Sequence, residues 1–183
     1  MTSDSISFDH SAAIDGLIER SFEAFKPPER LTVSEWAVRH RRLSPEGSAF
    51  TGRFRLETAP YQQEPMEVVN DADVQSVVLM WASQTGKTEV INNVVGFFIC
   101  EEPSPMLILQ PTLDMAETWS KDRLAPMVRD TAVLTDLVAD AKARDSGNTV
   151  LHKRFTGGHV TVAGANSPAS LASRPIRVVL CDE

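Results

Sequence analysis

The feature that most constrains the fold is the segment 77–99, in which an apolar stretch leads through a short loop into Gly86-Lys87-Thr88 and a helix-like run. A strand, a short loop and a helix opening with Gly-Lys-Thr form the context that a phosphate-binding P-loop requires. In such a loop, successive backbone N–H groups and the helix N-terminus point at one anion. Trp81 stands where the usual G-x-x-x-x-G-K-[ST] pattern has its first glycine. The segment therefore predicts a P-loop NTPase with a parallel sheet and flanking helices.

The side chains of this loop have the chemistry for a nucleotide and its metal. Lys87 is expected to reach the β- and γ-phosphates of ATP, and the Thr88 hydroxyl is expected to ligate Mg²⁺. We expect the strand that enters the loop to cover Val74–Met80. The other predicted nucleotide-binding residues of the loop are Ser83, Gln84, Thr85 and Gly86.

A second apolar run, 176–181, closes on Asp182 and Glu183. Its length and its β-branched residues predict a strand buried on both faces. Open α/β sheets bind ligands at the carboxyl ends of their strands, so these acids, the end of the strand at Gln110 and the P-loop are expected to share one edge. Asp182 is then predicted to hold the Mg²⁺ shell and Glu183 to polarise the attacking water. A solvated acidic turn is the alternative, but together with Gly-Lys-Thr the acids indicate an ATP-hydrolysing enzyme.

Tyr61 and Gln62 precede the expected P-loop strand by about a dozen residues. An aromatic ring followed by an amide can stack on an adenine and hydrogen-bond its edge. A tyrosine that packs at the start of a helix explains the same residues equally well.

Local signals divide the chain into a helical N-terminal segment, 1–57, and an incomplete P-loop ATPase domain, 58–183. Apolar residues at helical spacing predict a helix over 11–25. Thr32 and Glu35 form a capping box that predicts a second helix. Pro45, Gly47 and Gly52 indicate a loop over 44–55.

Strands and helices alternate after the P-loop, which predicts a parallel α/β core. Met106–Gln110 is predicted as a buried strand, followed by a helix that starts at Pro111-Thr112 and runs to about Leu124. Val150–Phe155 and His159–Ala163 are predicted to pair as a hairpin, which is either an insertion or an antiparallel edge.

Composition excludes several classes of protein. The formal net charge of −7 argues against a protein that coats nucleic acid along its whole surface, although a local basic groove is compatible with it. No Cys/His pattern has metal-ligand spacing, and Cys100 and Cys181 are predicted to be buried and reduced. The longest apolar run, 90–100, is too short to span a bilayer.

The order of these motifs resembles that of the large terminase subunit of tailed phages, in its lambda-type branch. The resemblance covers the chain from about residue 30 to its end. It rests on Pro60-Tyr61-Gln62, Gln84-Thr85-Gly86-Lys87-Thr88-Glu89, Ile91-Asn92-Asn93, Gln110-Pro111-Thr112, Ala163-Gly164-Ala165-Asn166-Ser167, Ser173-Arg174-Pro175 and Cys181-Asp182-Glu183.

The resemblance implies an ATPase motor that drives double-stranded DNA through the portal of a procapsid, and a nuclease, outside this chain, that cuts the concatemer. It implies that the motor works as a homo-oligomer with a terminase small subunit in the bacterial host cytoplasm, away from membranes. It also implies that Asp182 and Glu183 are the Walker B and catalytic acids, and that Tyr61 and Gln62 lie at the adenine. Since 81–86 contains no arginine, a cis-acting arginine is expected to come from elsewhere.

Two other hypotheses fit the same residues. A superfamily 2-type helicase or DNA translocase shares the order of glutamine motif, P-loop and Asp-Glu. The other, which is compatible with the terminase interpretation, is that the chain is a fragment that folds poorly and has no catalysis of its own. We expect these 183 residues to be the N-terminal portion of a longer protein, with weak nucleotide binding and turnover near background when isolated.

Overall fold

The structure is a computed structural model that describes Ile14 and residues 16–18, 21–22, 30–138, 148–166 and 175–182. The chain divides into two compact units, Met1–Arg30 and Leu31–Glu183. In the first unit, the described residues up to 22 have helical backbone, in agreement with the predicted helix over 11–25. The rest of that helix lies outside the described residues. Among the described residues, no helix is long and apolar enough to cross a membrane.

Two sheets are described in the second unit. The smaller is an antiparallel pair, and the larger has four strands. The strands are β1 (Arg42–Leu43), β2 (Gly52–Arg53), β3 (Pro105–Gln110), β4 (His152–Phe155), β5 (Gly158–Gly164) and β6 (Val178–Cys181).

The larger sheet has the order β4-β5-β3-β6. β3 pairs in parallel with β5 on one side and with β6 on the other. β4 and β5 form the predicted hairpin, with Gly157 in its turn at a φ of 86°. Of the two alternatives for this hairpin, β4 is the antiparallel edge, while β5 belongs to the parallel part of the sheet. The observed fold is thus a mixed α/β arrangement compatible with an ATPase domain.

Helices pack around this sheet, and two short 3-10 turns, Leu56–Thr58 and Pro60–Gln62, precede one of them. The helices are α1 (Val33–His40), α2 (Gln63–Val68), α3 (Lys87–Cys100), α4 (Leu113–Trp119), α5 (Ala125–Asp130) and α6 (Ala132–Thr135).

The predicted capping box begins α1. The Thr32 hydroxyl accepts from the Glu35 backbone N–H, and the Glu35 carboxylate accepts from the Thr32 N–H at 2.8 Å. Trp36 follows on the same helix and is fully buried. Its indole lies against Gly96 of α3, where a side chain would meet the ring. A residue without a side chain therefore allows α1 to pack closely on α3.

α3 is the central helix of the core. It is buried continuously from Val90 to Ile99, because apolar residues occupy nearly all of its faces. Two amides interrupt the run, and the side-chain amide of Asn93 contacts the Met66 sulfur of α2 at 3.5 Å. A helix that is buried on all faces is held in place by its neighbours. The loop that precedes α3 is therefore anchored at its C-terminal end.

α4 begins at the predicted position, with Thr112 as its N-cap. It continues through a π-helical turn, Ser120–Leu124, into α5. Pro126 explains the wider turn, because proline has no N–H to donate to the carbonyl of Asp122 four residues earlier. The backbone N–H of Ala125 instead donates to the carbonyl of Ser120.

Three sequence predictions were wrong. Val74–Met80 pairs with no described strand, and the side chain of Met80 is 91% exposed. β6 was expected to be buried on both faces, but Val179 is 54% exposed. Cys181 is exposed rather than buried. The common reason is that a strand is buried and hydrogen-bonded only where neighbours flank it, and β6 is the edge of the described sheet.

Candidate functional site

The loop before α3 has a backbone suited to an anion. Gln84 and Gly86 both have left-handed backbone angles, with φ of 58° and 87°. The Thr85 hydroxyl donates to the carbonyl of Ala82 at 2.7 Å. This hydrogen bond joins two residues three positions apart and so stabilises the turn of the loop. Alternation of left-handed and ordinary residues turns successive N–H groups toward one side, which forms an anion-binding nest. Gly86 is the N-cap of α3, so the positive end of the helix dipole adds to the positive potential of these N–H groups.

Tyr61 and Gln62 brace this loop from outside. The Tyr61 hydroxyl donates to the Thr85 carbonyl at 2.9 Å. The Gln62 side-chain amide is buried and lies 3.4 Å from the carbonyls of both Thr85 and Gly86. The φ of 87° at Gly86 favours glycine, and a Cβ there would also lie 2.3 Å from the Gln62 nitrogen. The packing interpretation of these two residues therefore has structural support, while Tyr61 is still 52% exposed.

Lys87 and Trp81 lie at opposite ends of the loop and contact each other. The Lys87 ammonium group lies 3.5 Å from the Trp81 carbonyl. The Trp81 ring packs edge-on against Tyr61, with 5.2 Å between ring centroids and 88° between their planes. Trp81, which replaces the first glycine of the usual motif, thus supports the loop through its contacts with Tyr61 and Lys87.

Asp182 comes from a distant part of the chain and meets the start of α3. The Thr88 hydroxyl donates to the Asp182 carboxylate at 3.4 Å, across 94 residues of sequence. The Gln110 side-chain amide donates to the same oxygen, also at 3.4 Å. β3 and β6 are parallel neighbours, so their carboxyl ends lie at one edge of the sheet. The predicted meeting of Thr88, Gln110 and Asp182 is confirmed.

An ion pair that sequence reasoning missed lies behind the loop. Arg41 follows α1, is only 4% exposed, and contacts the Glu89 carboxylate at 3.3 Å. Burial lowers the pKa of the Arg41 guanidinium, and the charge of Glu89 opposes that shift. The run Arg39-His40-Arg41-Arg42 marked a basic cluster in the sequence, but nothing local singled out Arg41 as its buried member.

A cavity of about 1140 Å³ lies in front of the loop. All six of the predicted loop residues line it, as do Tyr61, Gln62 and Asp182. In addition, the walls contain residues that were not predicted: Phe50, Arg53, Arg55 and Arg123. The structure therefore gathers the described members of the predicted site around one cavity.

The residues present fit a Mg²⁺–nucleotide complex. Mg²⁺ is commonly held by one or two carboxylates together with substrate phosphates, and it keeps several waters. Thr88 and Asp182 offer one hydroxyl and one carboxylate. Among the described residues, no cluster of three or more His, Cys, Asp or Glu side chains could form an all-protein metal cage. Glu183, the predicted catalytic acid, lies outside the described residues, as do 167–174.

Comparison with protein families agrees with this arrangement. Residues 48–183 match the family described as phage terminase large subunit gpA, ATPase domain. The match covers most of the chain, which therefore belongs to this family. No curated protein and no solved structure matches the chain significantly. The family does not favour the helicase alternative.

Proposed function

We propose that this chain is the ATP-hydrolysing motor part of a viral terminase large subunit that translocates double-stranded DNA into a procapsid. The observation that carries the proposal is the Asp182 carboxylate beside the Thr88 hydroxyl, directly after a Gly-Lys entry to a helix. This arrangement has the chemistry of a Walker A and Walker B pair in a P-loop. In its support, the chain belongs to a terminase ATPase family.

The proposed roles are assigned residue by residue. Lys87 contacts the β- and γ-phosphates, and the Ser83–Gly86 backbone cradles them. Thr88 and Asp182 hold Mg²⁺, whose charge neutralises the phosphate oxygens when it is bound. The remaining proposed roles belong to Glu183 and to Tyr61 and Gln62, the two residues expected at the adenine.

Glu183 is proposed to polarise the attacking water. The Tyr61 ring is proposed to stack on the adenine through its exposed face, because its hydroxyl is already bonded to Thr85. Gln62 is also proposed to lie at the adenine, and its contacts with the Thr85 and Gly86 carbonyls support the shape of the loop. Both residues line the cavity.

The wider assignments are also proposals. We place the ATPase domain at 58–183 and the helical segment at 1–57, and the packing of Trp36 on Gly96 ties part of that segment to the same core. The proposed partners are double-stranded DNA, a terminase small subunit, the procapsid portal and further copies of the motor. The proposed location is the cytoplasm of the bacterial host, and endonuclease activity is assigned to the full-length terminase.

The test is Lys87→Ala with Lys121→Ala as the matched control. Lys121 carries the same charge on an exposed side chain and does not line the cavity. A ligand at about 100 times its Kd stabilises a protein by about 2.7 kcal/mol, or roughly 5–10 °C in melting temperature at this chain length. We expect Mg²⁺–ATP to raise the melting temperature of the wild type and of Lys121→Ala.

Lys87→Ala should melt at the wild-type temperature without nucleotide and should gain nothing from Mg²⁺–ATP. In the full-length terminase the same substitution should abolish ATP hydrolysis. A Lys87→Ala protein that is stabilised as fully as the wild type, or that hydrolyses ATP at the wild-type rate, would contradict the proposed site.

A further inference from the structure

Phosphoryl transfer is accelerated by positive charge beyond that of a P-loop lysine and a metal ion. Arginine often supplies it, from the same chain or from a neighbour. The P-loop of this chain has no arginine. Among the described residues, the other cationic side chains lining the large cavity are Arg53, Arg55 and Arg123.

Arg123 differs from the other two arginines in where its backbone lies. Arg53 and Arg55 are exposed residues of β2 and the segment that follows it. Arg123 is half-buried and lies in the π-helical turn between α4 and α5. Such turns are rare and frequently occur at functional sites. Here Pro126 accounts for the turn, so the sequence itself sets the backbone position of Arg123.

Arg123 borders a second, smaller cavity of about 10 Å³, which it shares with Glu89 and Asn92 of α3. Glu89 directly follows Thr88, so this small cavity adjoins the first turn of α3, which carries the proposed metal ligand. Gly47 borders the same small cavity, and a Cβ on residue 47 would lie 3.4 Å from the Arg123 Nη1 atom, at ordinary contact distance. The Arg123 side chain therefore borders both the large cavity and the small one.

The guanidinium of Arg123 is also available for a ligand. Arg41, the other arginine bordering the small cavity, is bound to Glu89 and to the Arg42 carbonyl. Among the described residues, none forms a hydrogen bond or an ion pair with the Arg123 side chain. A half-buried arginine without a carboxylate partner, facing a cavity with an anion-binding loop, is suited to contact a phosphate.

We propose that Arg123 is a cis-acting catalytic residue that contacts the terminal phosphate of the bound nucleotide, an inference that rests on the proposed ATPase function. In hydrolysis a water oxygen forms a new bond to the γ-phosphorus, and the water proton passes to the carboxylate proposed as base. The bond from the γ-phosphorus to the bridging oxygen breaks, and ADP leaves with the electron pair. Arg123 is unchanged and stabilises the charge on the transferring phosphoryl oxygens.

The test uses the full-length terminase and compares ADP with two ligands that occupy the γ-position, AMP-PNP and ADP–aluminium fluoride, by calorimetry with Mg²⁺. Arg123→Ala, Arg123→Lys and the control Lys121→Ala are measured beside the wild type. Arg123→Ala removes a hydrogen bond between charged groups, so it should weaken binding of both γ-position ligands by about 10- to 100-fold. ADP affinity should stay within about threefold, because ADP lacks the contacted group.

The affinity of Arg123→Lys for ADP–aluminium fluoride should lie between those of the wild type and Arg123→Ala. Lysine keeps the positive charge but loses the planar guanidinium that can donate two parallel hydrogen bonds. Lys121→Ala should behave as the wild type. If Arg123→Ala weakens all three ligands equally, or none of them, the inference is wrong while the proposed nucleotide site stands. If the wild type binds none of the three, both the inference and the proposed function are wrong. The melting temperature without ligand shows whether each variant is folded.

Discussion

Substitution of Gly96 by alanine tests the packing of α1 on the central helix. Gly96 lies in the interior of α3, opposite the six-membered ring of Trp36. By helix propensity alone, Gly96→Ala should stabilise the protein by about 1 kcal/mol, because alanine is the better helix former. The tertiary structure predicts the opposite sign, since the new methyl group would lie 2.1 Å from the Trp36 Cη2 atom and 2.5 Å from Cζ3.

The size of the effect follows from those distances. Trp36 is fully buried and its ring is rigid, so it cannot turn aside as an exposed flexible side chain would. Overpacking of a core costs typically 1–3 kcal/mol, and a contact as short as this belongs at the upper end. After subtracting the propensity gain of about 1 kcal/mol, we expect a net loss of about 1–2 kcal/mol. For a chain of this length that corresponds to a decrease in melting temperature of roughly 2–8 °C.

The assay is urea unfolding followed by circular dichroism, which does not depend on Trp36 fluorescence. The matched background is Trp36→Phe, in which the smaller ring leaves room beside residue 96. Adding Gly96→Ala to that background should be neutral or stabilising, because the methyl group then fills space and keeps its propensity gain. If Gly96→Ala stabilises the protein while Trp36 is present, the packing argument is wrong.

Three other predictions concern a buried ion pair, the glycine before α3 and an exposed ion pair. Glu89→Gln leaves buried Arg41 without its carboxylate and should cost about 3 kcal/mol in urea unfolding, the low end for a broken buried pair; an unchanged midpoint would contradict this. Gly86→Ala should destabilise more than Gly52→Ala, because both have positive φ but only residue 86 meets a neighbour, the Gln62 amide; equal losses would show that this amide does not matter. Hydrogen bonds from Arg129 lower the pKa of Asp130 to about 2, below its usual 3.8. The stability they supply is present above about pH 4 and is lost as pH falls toward 2. Arg129→Gln should therefore flatten the change in urea midpoint between about pH 4 and pH 2, and an unaltered pH dependence would refute the assignment.

Local patterns predicted much of the fold and the site. The capping box of α1, the helix entry at Lys87 and the turn at Gly157 were each identified from residues within a few positions of one another. The convergence of Thr88, Gln110 and Asp182 was also predictable, because the carboxyl ends of parallel strands meet at one edge. These predictions succeeded where the deciding interactions are local, or where strand topology brings distant residues together.

The predictions that failed depend on neighbours that no local pattern specifies. Val74–Met80 has the composition of a strand, yet a strand exists only where another strand accepts its hydrogen bonds. Cys181 looked buried by its apolar context, but its burial depends on what flanks β6. Local composition describes what a segment prefers, and pairing decides whether that preference is realised.

By itself, the sequence determined the positions of most helices and strands, the helix entry at Gly86-Lys87-Thr88 and the family to which the chain belongs. Only the tertiary structure decided that Arg41 is the buried arginine of its cluster, that Gln62 braces the loop, and that Arg123 borders the cavity. The physical reason is the range of the interactions. Capping and turn formation act within a few residues, whereas an ion pair across 48 positions or an amide reaching 24 positions away is specified only when the core brings distant segments together.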